Sequence, residues 1–170
     1  MSPMNRPLMY ASIALLLVIH VALLDRIEIY GATPDILLIF VVFIGLFFGP
    51  GPGLEAGIAA GFGKDLFAFD NFGANAFILG IVGVIAGAIN TKIFRESGLT
   101  RSLLVFMLCA SGMYIRVLLC RFVFRSEGPD ISEYTLFSVL PVSAYSSLVA
   151  LPVLGWFTRI FGLKELTDIV

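Results

Sequence analysis

Polar positions in this chain come in short clusters between long apolar runs. A helix that crosses a bilayer needs about 20 mostly apolar residues. Six runs qualify, at about 7–24, 34–49, 54–70, 73–93, 101–123 and 136–161. The pattern predicts an all-α integral membrane protein, a six-transmembrane-helix bundle forming one polytopic domain over residues 1–170. The second and third runs are short, and the turn GPGPG at 49–53 joins them tightly. Pro34 suits the first turn of the second helix. Asp35 beside it stands at the positive end of that helix. The sixth run holds Pro141 and Pro152, which predict a kink or a late start near Pro141. Arg6 precedes the first run, but the run is long and ends in Asp25-Arg26 without a small-residue cleavage site. It reads as a first membrane helix, not a cleaved signal.

The third run carries the most informative pattern. Gly57, Gly61 and Asp65 are spaced four apart and share one helix face. Gly73 lies eight residues beyond the acid and opens the next apolar run. A stripe of small residues lets another helix approach closely. An ionisable residue inside a membrane is expensive and usually functional. The stripe therefore predicts a packed contact with a charge at its end. Its partner is either a helix of another protein or this chain's own fourth or fifth helix. A bulky replacement such as Gly61→Leu should push the packed helices apart.

Composition agrees with a membrane class. Of the 170 residues, 59% are hydrophobic and 14% charged, with mean hydropathy +1.00. Soluble domains carry roughly 25% charged residues. The net charge of −1 gives no reason to expect nucleic acid. Cys109 and Cys120 lie about 16 Å apart on one helix, beyond the reach of about 7 Å that a disulfide allows. They read as small core residues. The lone His20 and the scattered thiols give no metal set. Tyr10, Tyr30, Tyr114, Tyr134 and Trp156 read as interface anchors or packing residues.

Charge sets the orientation. With the N-terminus inside, Arg6, Lys92, Arg95, Arg101, Arg159 and Lys164 are cytoplasmic, against Arg26 and Arg125 outside. Both termini are then cytoplasmic. Lys64, Arg116 and Arg121 fall within spans. Asp65 and Arg116 lie at similar depth, so they form a candidate intramembrane pair. Alternatively, Lys64 and Arg116 snorkel to headgroups while Asp65 caps a helix or bonds Asn71 and Asn75. Arg121 snorkels, and Glu55 is favoured by the N-terminal dipole of the third helix. No GxSxG, phosphate loop, acid–base pair or spaced carboxylate relay stands in the chain. No catalytic residue and no cofactor is indicated.

The run Thr33-Pro34-Asp35-Ile36-Leu37-Leu38, then Gly57-xxx-Gly61-xxx-Asp65-Leu66, then Gly73, resembles the bacterial rod shape-determining protein family MreD. This chain has Thr33 where the family commonly has arginine, Phe72 where leucine is common, and Lys64 where the family is usually apolar. The resemblance implies a non-enzymatic inner-membrane component of the elongasome. The partners it implies are MreC first, then MreB, RodA and a class B penicillin-binding transpeptidase. It also implies a fold like the substrate-binding S-component of energy-coupling-factor transporters. A vitamin-transporter S-component is the second functional reading. Alanines of the first helix, Ala11, Ala14 and Ala22, give only a weak form of the small-residue spacing such a component would use.

Overall fold

The computed structural model describes residues 5–23, 35–67, 72–89, 98–122 and 139–161. Among these residues the chain is all-helical, with six helices and no strand. They are α1 (Arg6–Leu23), α2 (Ile36–Phe48), α3 (Pro50–Phe67), α4 (Ala74–Ala88), α5 (Gly98–Phe122) and α6 (Leu140–Ile160). Pro34, Asn71, Tyr30 and Tyr134 lie outside the described residues, as does the side chain of Arg121.

α2 is the axis of the bundle. Its sequence ILLIFVVFIGLFF is apolar all round, and every residue from Leu37 to Leu46 is buried. A helix without a polar face is buried in a core or in lipid, and here α1, α3, α4, α5 and α6 all pack on it. Asp35 caps its start, accepting from the Leu38 N–H at 3.1 Å.

The turn after α2 is tighter than GPGPG suggests. Only Gly49 leaves the helical path, at φ 99°, and α3 begins at Pro50 rather than near residue 54. Proline at the first helical position loses no hydrogen bond and brings a pre-set φ. The rest of the predicted turn is therefore the first turn of α3.

Successive helices along the chain run in alternating directions. Tyr10 meets Glu55 and Leu17 meets Gly63, so α1 and α3 are parallel. Gly53 faces Gly83 and Gly61 faces Asn75 and Ala76, so α3 and α4 are antiparallel. Ile78 and Val82 face Gly112 while Asn75 meets Arg116, so α4 and α5 are antiparallel. Asp35 meets Ser146 and Phe48 meets Phe161, so α2 and α6 are parallel. The start of α1 and the end of α6 therefore lie at the same end of the bundle. Pro141 sits in the first turn of α6, and Pro152 lies inside that helix.

Among the described residues, one helix qualifies by length and composition as a membrane span, over Leu140–Phe157. α2 and α4 are apolar but have only 13 and 15 residues. α3 carries three charges, Glu55, Lys64 and Asp65.

Candidate functional site at the Asp35 end of the bundle

The glycine stripe has a definite neighbour. Gly57 lies against the Leu79 carbonyl of α4, and Gly61 against the backbone of Asn75 and Ala76. A side chain at either position would overlap main-chain atoms. The seam also runs further than three residues. Gly53 and Gly83 meet backbone to backbone, with Gly45 of α2 beside them, and Gly87 lies on Pro50. Glycines at 45, 49, 53, 57 and 61 and then Asp65 form one series spaced by four. Without Cβ atoms the main chains come into direct van der Waals contact. The partner of the stripe is thus the chain's own α4.

Asp65 ends the series and is 1% exposed. One oxygen accepts the Asn75 N–H at 3.1 Å and the Asn75 side-chain amide at 2.8 Å. The other accepts the Ala76 N–H at 3.0 Å. These N–H groups are unsatisfied donors at the start of α4, where the dipole also favours a negative charge. Asp65 therefore caps α4 from a neighbouring helix. Gly73 precedes that start in a left-handed conformation, φ 91° and ψ −13°, and contributes no side-chain cap.

Asp65 and Arg116 are not directly paired. Arg116 Nη1 donates to Asn75 Oδ1 at 3.4 Å, and Asn75 donates onward to Asp65. The amide relays between them because its oxygen and nitrogen bond opposite partners at once. Lys64 does not snorkel to a headgroup. Its Nζ sits 2.7 Å from Asp35 Oδ2, with side-chain exposures of 16% and 22%. Lys64 and Asp65 are adjacent, and successive helical residues face about 100° apart. One thus reaches back to α2 while the other reaches forward to α4.

Asp35 also contacts α6, its backbone N–H donating to Ser146 Oγ at 3.2 Å. Ser146 and Asp35 are both neighbours of the Cys109 thiol of α5, and His20 of α1 is an electrostatic neighbour of Asp35. Five helices converge on this carboxylate. Cys109 is buried and free, as a small core residue should be.

The opposite end has a smaller cluster. Tyr10 donates to Glu55 Oε1 at 2.7 Å, and Arg6 lies 3.8 Å from Oε2. Glu55 does more than sit near a helix start, since it fastens α1 to α3. Tyr10 is half-exposed, yet its hydroxyl is committed to this bond.

Sequence reasoning missed the Lys64–Asp35 pair and the Asn75 relay. The pair joins residues on different helices, and nothing in their spacing announces it. Among the described residues, no group of three or more His, Cys, Asp or Glu is placed to hold a metal ion.

No curated protein and no solved structure matches the chain. The sequence model of rod shape-determining protein MreD matches residues 3–163. That covers nearly the whole chain, so the protein belongs to the MreD family of rod shape-determining membrane proteins.

Proposed function

We propose that this protein is a non-enzymatic component of the bacterial cell-elongation complex in the cytoplasmic membrane. In this reading its six helices all cross the membrane, with both termini cytoplasmic. It binds MreC, and with MreB, RodA and a class B penicillin-binding transpeptidase it helps organise lateral peptidoglycan synthesis. One observation, beside the family, carries the reading. The three carboxylates among the described residues each fasten two helices together. Asp35 joins α2 to α3, Glu55 joins α3 to α1, and Asp65 joins α3 to α4. Acids engaged as struts suit a shaped body that others dock on. Gly57, Gly61, Asp65 and Gly73 serve by keeping α3 and α4 a single unit, and Lys64, Asp35 and Arg116 by closing its polar end.

The test is affinity purification of the tagged protein from gently solubilised native membranes, read by mass spectrometry. Recovery of MreC with other wall-elongation proteins is the expected result. Recovery of paired ATPases with a coupling subunit would instead make it a transporter S-component. Reporter fusions at both termini check the orientation, and a periplasmic signal from either one rejects it.

A further inference from the structure

Two groups of helices meet along one seam. On one side, α2, α3 and α4 are joined through glycine contacts with no side chains between the backbones. On the other, α5 and α6 pack against each other. The seam differs along its length. At the Phe48 end it is filled by rings: Phe157 lies 5.0 Å from Phe40 and 5.5 Å from Phe43, and Phe161 lies 5.7 Å from Phe43. At the Asp35 end the same seam is polar. It is crossed by the Asp35–Ser146 bond at 3.2 Å and the Asn75–Arg116 bond at 3.4 Å.

One residue at the polar end is out of balance. Ser143 is 0% exposed, and its hydroxyl has no hydrogen-bond partner among the described residues. Leaving a buried hydroxyl unpaired is costly, and native structures pair nearly all such groups. Ser143 lies one turn before Ser146 on the same buried face of α6, and residues three apart on a helix are neighbours. The Asp35–Lys64 pair meets Ser146 through the Asp35 backbone N–H and retains some side-chain exposure, 22% and 16%. A partly exposed ion pair thus stands next to two fully buried serines.

We infer that the Asp35 end of this seam is a hydrophilic pocket that admits water, with Ser143 and Ser146 as its α6 wall and the Asp35–Lys64 pair as the facing wall. Water supplies the partner that the Ser143 hydroxyl lacks, since a polar site offering two or more partners can hold it. Asp35 and Ser146 complete the lining. Lys64 closes the pocket by spanning from α3 to α2. Further along the same face of α6, Ala150 is also 0% exposed but lies toward the rings, and there the seam stays dry.

The test is cysteine accessibility in the purified full-length chain reconstituted into vesicles, after Cys109→Ala and Cys120→Ala. Ser143→Cys and Ala150→Cys are each treated with a small, cationic, water-soluble methanethiosulfonate reagent. The expected result is modification of Ser143→Cys at least ten-fold faster than of Ala150→Cys. Adding Lys64→Met should accelerate the first several-fold further and leave the second unchanged. Equal, slow rates at both positions would overturn the inference. So would equal acceleration at both, which marks general loosening. If the cysteine-free background does not fold, native Cys109, a neighbour of Ser146, is the reporter in a chain carrying Cys120→Ala alone. Its modification should then be faster with Lys64→Met than with Lys64 intact, and no change rejects the pocket.

Discussion

The seam between α3 and α4 and the seam between α2 and α6 are made of opposite materials. The first is bare main chain: Gly53 on Gly83, Gly57 on the Leu79 carbonyl, Gly61 on Asn75 and Ala76. The second is almost all side chain, with Phe40, Phe43, Phe157 and Phe161 stacked edge to face and tilted. Bare backbones come closest and tolerate no addition. Rings fill space from both sides and can repack. One protein therefore joins its helices through one interface that cannot be edited and another that can.

The sharpest way to break the comparison is to put volume into the glycine seam. Gly57→Leu should abolish folded protein, seen as loss of a monodisperse peak in detergent. Gly57→Ala should already cost about 3 kcal/mol, because overpacking here meets a carbonyl and not a flexible side chain. Thermal unfolding in detergent measures it. The ring seam should respond differently to loss and to exchange. Phe157→Ala should cost about 3 kcal/mol through the cavity it leaves, whereas Phe157→Leu should cost about 1 kcal/mol as the neighbours close in. If Phe157→Leu proved as damaging as Gly57→Ala, the distinction between the seams would fail.

The polar fastenings come next in size. Asp65→Asn replaces an acceptor of three N–H bonds with a group offering one oxygen. It should cost about 2 kcal/mol by the same measurement. A double-mutant cycle of Lys64→Met and Asp35→Asn should give a coupling of about 1 kcal/mol, modest because both groups keep some exposure. The smallest effect belongs to Gly51. It lies in α3 like Gly57, but nothing stands within 4 Å of where its Cβ would be. Gly51→Ala should be neutral or slightly stabilising, within about 1 kcal/mol. These two substitutions on one helix, with opposite outcomes, isolate the seam from helix propensity.

How far the chain could be read from its residues follows from the same physics. Gly57, Gly61 and Asp65 stood out because spacing by four on a helix is a local property. The earlier members Gly45, Gly49 and Gly53 were hidden by the prolines among them, which read as a long turn. Only the geometry shows that Pro50 starts a helix. The number of helices followed from the alternation of apolar runs and polar breaks. The charged contacts did not, because they depend on how helices rotate about their axes. Lys64 faces Asp35, 29 residues away, and Asp65 faces the start of α4. An Asp65–Arg116 pair was reasonable from depth alone, but Asn75 stands between them and serves both.

The shortness of α2 has a consequence for the surface of the molecule. Thirteen helical residues span about 20 Å, against a hydrocarbon layer of about 30 Å. Its neighbours wrap it on every side, so α2 need not match the bilayer at all. In the proposed membrane setting, the central helix is shorter than the layer around it. Asp35 caps the end of that helix, so it stands below the level of the lipid headgroups, among helices rather than lipid tails. A charge can be kept at that depth because the cation that balances it, Lys64, comes from the neighbouring helix.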